Sequence, residues 1–454
     1  MAYMFNNCNS LSNINNFHNF DTSSVTNMEY MFNRCFSLQS LDLTGFDTSE
    51  VEDMKYMFND CFSLGSINNY DRFETSSCKN MMYMFNNCMS LRSLDCATFH
   101  TSNVVNMEYM FNNCKSITSI SNLNDFDTSS VTNMQYMFNC CNNLPSLDLA
   151  AFNTRNVQNM KYMFNDCKLI TSISNLNNFD TSSVTNMEFM FNNCTKLENL
   201  DLPAFKTNIV VSMENMFNDC NSITSSGNSN NFDTSSCTNM ACMFNNCHEL
   251  TYIDLTKFKT SNVVTMEKMF NNCHELTSLH NIHFDTNKVT NMDSMFNTCL
   301  KIVSLDLHEF NTPVVTNIDY MFNNCKSLEF LNIIELDTSL ITNMAYLFNN
   351  CESLDSLVLS SFRTPILSTM EKMFYNCNSL TTLDLSLFDT SKVTNMDSLF
   401  YNCASMQFLD LTNFITSLVD NMDTMFYSCS SMTSLKVTNF DTHLITNMAS
   451  LFEK

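Results

Sequence analysis

The 454-residue sequence predicts an α/β repeat solenoid, with a parallel sheet on one face and short helices or helical turns on the other. Three observations lead to this fold class. A unit of 26 or 27 residues recurs about seventeen times, leucines alternate with polar residues in each copy, and methionine, phenylalanine and cysteine then follow at helical spacing. Because a unit of this length cannot bury its apolar face alone, successive copies must stack on one another.

The repeat can be followed through one threonine per copy, which usually closes an F-x-T motif. Steps between these threonines alternate between 26 and 27 residues as far as Thr260 and are 26 residues thereafter. We therefore interpret residues 1–454 as a single domain, with paired unlike repeats over 1–270 and uniform repeats over 271–454. The threonines are Thr22, Thr48, Thr75, Thr101, Thr128, Thr154, Thr181, Thr207, Thr234, Thr260, Thr286, Thr312, Thr338, Thr364, Thr390, Thr416 and Thr442.

Each copy begins with a strand pattern. Leu41 and Leu43 alternate with Ser40, Asp42 and Thr44, which is the period of two expected for a strand with one buried face. The serine, aspartate and threonine should therefore face outward. In the 27-residue copies the extra residue falls in this segment, which predicts a bulge.

A helix pattern follows the strand and a turn. Met54, Met57, Phe58 and Cys61 follow the i, i+3, i+4, i+7 spacing of a buried helical face. Asp53, directly before them, suits a helix N-cap. We therefore predict one or two helical turns on the face opposite the sheet.

Charge narrows the possible partners. A formal net charge of −24 argues against nucleic acid and anionic membranes, because both are recognised through clustered lysine and arginine. No apolar run is long enough to predict membrane insertion. Residues 1–20 do not read as a secretory signal, and copies that begin and stop in mid-repeat suggest a piece of a longer protein.

Cysteine usage follows the repeat. Seventeen of the 22 cysteines occupy one repeat position, as at Cys35, Cys61 and Cys88. One cysteine per copy is typical of a small buried hydrophobe and not of a disulfide framework. We predict free buried thiols, which favour a reducing setting.

The sequence of the repeat resembles that of a known family. The segment Met373–Met396 reads M-F-Y-N-C-N-S-L-T-T-L-D-L-S-L-F-D-T-S-K-V-T-N-M. It resembles the 26-residue bacterial surface protein repeat of BspA-like leucine-rich-repeat proteins, and the resemblance covers essentially the whole chain. It implies a leucine-rich-repeat-like fold and a cell-surface or extracellular adhesion protein that binds a protein partner, such as a host or matrix protein. The alternative is a cytoplasmic scaffolding protein that associates with itself, which the free thiols favour.

The outward residues of the strands form the first candidate surface. An acidic stripe suggests a concave groove for a basic protein segment or for divalent cations, and the alternative is a solvated face that keeps the sheet soluble. Three aromatic residues in the neighbouring row favour binding. The stripe contains Asp42, Asp95, Asp148, Asp201, Asp254, Asp306, Asp384 and Asp410, and the aromatic residues are Tyr252, Phe330 and Phe408.

A tyrosine row forms the second candidate surface. On a helical wheel that starts at Met28, Tyr30 lies nearly opposite the buried residues, so it should be exposed and available to a partner or to a second copy. The alternative is that short, irregular helical turns leave the rings half-buried between copies. The row contains Tyr30, Tyr56, Tyr83, Tyr109, Tyr136 and Tyr162.

No catalytic, metal or cofactor site is predicted. The chain has only three glycines, which rules out a glycine-rich phosphate loop, and no serine, histidine and acid arrangement emerges. His248 and His274 share a repeat position, but copying of the segment C-H-E-L-T explains the pair without a metal. The threonine row is interpreted as buried hydroxyls that bond the next copy. We therefore predict a protein that is not an enzyme.

Overall fold

The computed structural model describes residues 1–15, 17–70, 72–123, 126–198, 202, 205–225, 232–279, 282–446, 448 and 450–453. The chain divides into two compact units, Met1–Asp233 and Thr234–Lys454. Each unit is a parallel β-solenoid, in which one repeat forms one coil. Within the described residues the two units hold about 15 turns, a loose match to the seventeen copies in the sequence.

Short strands form the sheet face of both units. The strands form parallel pairs between neighbouring coils. In each pair the first residues are serine or phenylalanine, the second are leucine or isoleucine, and the third residues also lie in register. Unit Met1–Asp233 contains the pairs β1 (Ser40–Asp42) with β2 (Ser66–Asn68), β3 (Ser93–Asp95) with β4 (Ser119–Ser121), and β5 (Ser146–Asp148) with β6 (Ser172–Ser174). Unit Thr234–Lys454 contains β7 (Ser304–Asp306) with β8 (Phe330–Asn332), and β9 (Phe408–Asp410) with β10 (Ser434–Lys436).

The predicted strand faces are confirmed. Leu41 and Leu43 are buried, whereas Ser40, Asp42 and Thr44 are exposed. Alternation of side chains across the pleat places the leucines in the core and the polar residues in solvent.

The 27-residue copies absorb their extra residue directly after the strand. Asn122 follows β4 with a φ of 56°, a left-handed conformation that asparagine tolerates better than most residues. Leu123 then returns to the core one position late, as the sequence predicts. Asn69 and Asn175 have the same role and positive φ angles of 54° and 66°.

The predicted helix is wrong. No α-helix occurs in the part of the chain that the structure describes, and the completely described helical elements are two 3-10 helices, Phe17–Asn19 and Leu176–Asn178. The segment from Met54 to Cys61 is a run of turns. The α/β description therefore fails for this face, while the parallel solenoid itself holds.

Hydrogen bonding explains how turns imitate the helical spacing. The N–H of Met57 donates to the carbonyl of Met54 over 3.2 Å, but the N–H of Tyr56 donates over 2.9 Å to Met82 in the next coil. Tyr56 and Asp60 have φ angles of 57° and 59°, which reverse the chain as in turns that need a left-handed third residue. Alternate N–H groups therefore bond within the coil and between coils, and a methionine or phenylalanine still points inward every third or fourth residue.

The predicted N-cap keeps its bond but caps no helix. Asp53 accepts the backbone N–H of Lys55 at Oδ1 over 2.9 Å. Its backbone also forms parallel β-bridges with Asn27 in the preceding coil and with Asn80 in the next coil. This side-chain bond two residues ahead starts a turn.

The core consists of rows that run from coil to coil. Phe32 and Phe58 stack with ring centroids 5.5 Å apart, and both rings are fully buried beside methionine and leucine rows. The threonine row is internal as predicted: Thr312 donates its hydroxyl to the carbonyl of Asp337 over 3.0 Å and accepts the N–H of the same residue over 2.8 Å. All 22 cysteines are free, and most are buried, which confirms the prediction for the thiols.

Candidate interaction surfaces

The acidic stripe lies on the sheet face, as predicted. Asp42, Asp95 and Asp148 are exposed in the first unit, and Asp306 and Asp384 are exposed in the second. Asp254 and Asp410 are half-buried, and Asp201 lies outside the described residues. The two units therefore each present carboxylates on this face.

Most of these carboxylates have a local structural role. Asp42 Oδ1 accepts the N–H and the hydroxyl of Thr44 over 2.9 and 2.6 Å, and also the amide of Asn69 over 3.1 Å. These bonds hold the pKa of Asp42 below its usual range. A bond to the N–H two residues ahead ends the strand in a turn, and Asp95, Asp148, Asp254, Asp306, Asp384 and Asp410 make the same bond.

In the first unit an amide from the next coil also covers the stripe. In the described 27-residue copies the added asparagine donates to the preceding aspartate, with Asn122 to Asp95 over 2.7 Å and Asn175 to Asp148 over 2.6 Å. These amides take part of the carboxylates' bonding capacity. The second unit has such a contact at one place, where Asn332 donates to Asp306 over 2.9 Å. The arrangement therefore favours the solvated-face interpretation most strongly for residues 1–233.

The second unit has a different surface beside the stripe. Tyr252, Phe330 and Phe408 are 47%, 53% and 41% exposed. The register places Phe330 beside Ser304 and Phe408 beside Ser434, so aromatic rings stand where other strands carry serine. Exposed rings on a backbone held by inter-coil bonds are candidate contact residues.

A lysine joins the aromatic and acidic rows at one point. The ammonium of Lys436 lies 5.4 Å from the centroid of the Phe408 ring and 2.8 Å from Asp410 Oδ2. The bond from Lys436, with bonds from Thr412, lowers the pKa of Asp410 to about 2. Phe408, Asp410 and Lys436 also line an open groove together with Asp384.

The tyrosine row is a half-buried stack. Tyr30, Tyr56, Tyr83, Tyr109, Tyr136 and Tyr162 are neither fully exposed nor buried. Neighbouring rings from Tyr3 to Phe189 lie parallel with centroids 4.3–4.8 Å apart. Because the ring faces are covered by neighbours, mainly the edges and hydroxyls reach solvent, and burial raises the pKa of Tyr83 and Tyr136.

Charged residues flank this stack. The ammonium of Lys55 lies 2.7 Å from Glu29, and Lys161 lies 2.5 Å from Glu188. Glu108 accepts the Asn133 amide over 3.1 Å, and burial raises its pKa. The flank is therefore a mixed, internally paired surface.

A buried asparagine ladder was not predicted. Asn59 donates its side-chain amide to Asn33 over 2.7 Å, and Asn86 donates to Asn59 over 2.6 Å. The ladder continues in both units and satisfies polar side chains inside the coil. The available signal was an asparagine after each M-F pair as far as Phe322, and the helix prediction did not use it.

No metal-binding group of three or more histidine, cysteine or acidic residues occurs among the described residues. The rings of His248 and His274 stack with centroids 4.6 Å apart, and burial together with the neighbouring His248 lowers the pKa of His274. Within the described residues no helix is long and apolar enough to cross a membrane.

Solved structures with similar coils share little sequence with this chain. A leucine-rich repeat protein from Bacteroides ovatus is 18% identical, with a TM-score of 0.39 and 87% of each chain covered. A leucine rich cell surface protein from Faecalibacterium prausnitzii is 14% identical, with a TM-score of 0.31, and the match covers 89% of this chain and 84% of that one. A leucine-rich repeat protein from Eubacterium ventriosum is 15% identical, with a TM-score of 0.30 and coverage of 79% and 82%.

No curated protein matches the sequence. One family model, described as mycoplasma protein of unknown function, DUF285, matches seven overlapping segments: 1–121, 92–172, 116–229, 169–278, 246–333, 320–414 and 405–454. Because these segments together span the chain from residue 1 to residue 454, the protein belongs to the DUF285 family.

Proposed function

We propose that this protein is a non-enzymatic protein-interaction and adhesion module that binds its partner through the sheet face of residues 234–454. One observation carries the proposal: Phe330 and Phe408 expose aromatic rings beside serines of the neighbouring strands, and Tyr252 exposes a ring at the same repeat position. Aromatic side chains held on a rigid surface lose little conformational freedom on binding, so they contribute strongly to affinity.

The carboxylates beside the rings select the partner's charge. Asp306 and Asp384 are exposed, and bonds from Ser386 lower the pKa of Asp384, so this residue is ionised at neutral pH. A net charge of −24 extends the same field over the molecule. We therefore propose a basic protein segment as the partner, with electrostatics acting on the association rate and on specificity.

Serine substitutions test this proposal without disturbing the strands. The variant Tyr252→Ser/Phe330→Ser/Phe408→Ser installs the residue that other strands carry at this position. Its binding to an array of basic host and matrix proteins should fall at least about tenfold against the unchanged chain. The control Leu169→Ser removes an equally exposed apolar residue, 48% exposed, from the first unit. Equal binding by both variants would refute the assignment of the site.

The tyrosine stack is proposed as a second, weaker contact surface. Its ring edges and hydroxyls offer a partner or a second copy a row of hydrogen-bonding groups, although stacking already uses the ring faces. Tyr83→Phe removes one hydroxyl and keeps the stack. If association persists in this variant at full strength, the hydroxyls do not contribute to the contact.

A surface location is proposed from the resemblance to BspA-like repeats. The free thiols favour the alternative, a cytoplasmic scaffold, because disulfide-free cysteine-rich chains are typical of reducing compartments. Protease treatment of intact source cells separates the two. Loss of the chain while a cytoplasmic marker survives is the expected result, and protection until lysis would support the scaffold.

A further inference from the structure

The exposed aromatic residues of the second unit recur at a fixed interval. Tyr252, Phe330 and Phe408 are each 78 residues apart, which is three 26-residue coils. The structure places Phe330 in register with Ser304 and, through it, Ser278, and it places Phe408 in register with Thr382. Two small hydroxyl residues therefore separate one ring from the next along the sheet. With parallel strands about 4.8 Å apart, the rings recur about every 14 Å.

This interval matches only one regular polypeptide conformation. In an extended chain, residues i and i+4 point to the same side and lie about 13.6 Å apart. In an α-helix, 14 Å is about nine residues, which places the two side chains on opposite faces. In a polyproline II helix the same face returns about every 9 Å, out of phase with the rings. The rings therefore favour an extended segment that runs across the strands, along the axis of the solenoid.

The chemistry between the rings is mainly acidic and polar. From residue 306 the neighbouring row reads Asp306, Asn332, Val358, Asp384 and Asp410, with Val358 58% exposed, and the only cation that this row shows in the described part of unit 234–454 is Lys436. Lys436 itself shows how a cation sits here, 5.4 Å from the Phe408 ring and 2.8 Å from an aspartate oxygen. Beside Phe330, Asp306 Oδ1 already accepts the Asn332 amide over 2.9 Å and lies 3.0 Å from His308 Nδ1. A lysine or arginine of a partner would there meet the exposed ring and a carboxylate that is partly used.

We infer that the partner segment is an extended, basic polypeptide with apolar side chains at every fourth residue and lysine or arginine midway between them. The apolar side chains contact Tyr252, Phe330 and Phe408, and the basic residues face the aspartate row. This inference rests on the proposed function and specifies the chemistry of its partner. Small residues such as Ser304 and Thr382 leave room for the segment between the rings.

Designed peptides of one composition test the spacing. Three labelled eleven-residue peptides each carry three phenylalanines and two lysines, with serine at the other positions. The phenylalanines are three residues apart in the first peptide, four in the second and five in the third, and each lysine lies between two phenylalanines. Fluorescence anisotropy with the full chain should show at least about tenfold tighter binding for the four-residue spacing. Replacing the lysines with glutamate should weaken binding, and added salt should weaken the lysine peptide.

Matched variants connect the spacing to the rings. Phe330→Ser removes the central contact and should abolish the preference for the four-residue spacing, whereas Leu169→Ser should leave it intact. Equal affinity for all spacings, or binding of no peptide, would overturn the inference. Loss of protein binding in the triple serine variant together with failure of every peptide would leave the proposed function standing and this partner class rejected. Binding of a linear polysaccharide that depends on the same rings would also overturn it.

Discussion

At the scale of single residues, two half-buried carboxylates in the second unit repel each other. Asp293 and Asp319 occupy the same repeat position in neighbouring coils of the second unit. Burial, and then the charge of Asp293, raises the pKa of Asp319 to about 6, although its Oδ2 accepts the Asn343 amide over 2.6 Å. The ammonium of Lys268 lies 3.6 Å from Asp293 Oδ2, so it compensates the charge of Asp293 more than that of Asp319. Asp319 is therefore the poorly compensated member of the pair.

This environment predicts a pH-dependent stability with a definite sign. Because the pKa of Asp319 is higher in the folded chain than the ordinary value of about 4, the folded state binds the proton more tightly. The free energy of unfolding should therefore rise as pH falls from about 6 to about 4. Asp319→Asn should increase it by about 1–2 kcal/mol at pH 7, after solvent screening is allowed for, and have little effect at pH 4. Urea unfolding at several pH values measures this.

An aspartate with the opposite shift is the control. The pKa of Asp384 is lowered by the Ser386 N–H and hydroxyl, so its contribution is present above the ordinary pKa and is lost as pH falls. Asp384→Asn should therefore destabilise the protein at pH 7. The same sign for both variants would contradict the assigned environments.

At the scale of the coil, the strand and the internal rows could be predicted from sequence, but the opposite face could not. Alternation around Leu41 has one structural explanation, and an uninterrupted threonine row indicates a buried ladder. The spacing of Met54, Met57 and Phe58 has two structural explanations, a helix and a series of turns. Turns with left-handed residues return side chains to the core as often as a helix does. Asparagine or aspartate at positions such as Asp60 and Asn87 was the sign of left-handed turns.

The candidate surfaces on the strands could be predicted from the sequence, whereas the surface on the turns could not. The acidic stripe and the exposed rings lie on strands, where the period of two determines which side chains face solvent. The tyrosine row lies on the turns, so the helical wheel placed Tyr30 too far into solvent. Contacts between coils, such as the asparagine ladder and the amide of Asn69 on Asp42, depend on register and could not be derived from one copy alone.

A glycine substitution distinguishes a turn from a helix by the sign of its effect. Arg34 has a φ of 60°, and its exposed side chain makes only a 3.6 Å surface ion pair with Asp60. In a helix Arg34→Gly would cost about 1 kcal/mol. In the left-handed turn it relieves strain and should raise the free energy of unfolding by about 0.5 kcal/mol, while Arg34→Val should lower it by at least about 1 kcal/mol.

Chemical unfolding followed by circular dichroism tests these variants. Lys79→Gly is the control, because Lys79 is exposed and is not among the residues with positive φ. That variant should be destabilised. Destabilisation of Arg34→Gly by the same amount would contradict a left-handed turn at residue 34.

At the scale of the whole molecule, the same few interactions recur from coil to coil in the described residues. Cys61 donates its thiol to the Phe32 carbonyl of the preceding coil over 3.1 Å, and Cys377 does the same to Phe348 over 3.2 Å. Burial raises the pKa of both thiols, Cys377 to about 12, so neither is reactive in the folded chain. The cysteine row therefore reports, coil by coil, whether the structure is closed.

These thiols test whether residues 1–454 behave as the single domain that the unbroken repeat predicts. Stability in a solenoid comes from contacts between neighbouring coils, so a continuous array unfolds cooperatively when those contacts dominate. Pulsed maleimide labelling across a urea gradient, read by mass spectrometry, should then expose Cys61 and Cys377 with one midpoint. In the native state labelling should be confined mainly to the incompletely buried Cys8, Cys140, Cys242 and Cys429. Two separate midpoints, one for residues 1–233 and one for 234–454, would show that the compact units unfold independently, and the single-domain interpretation would be wrong.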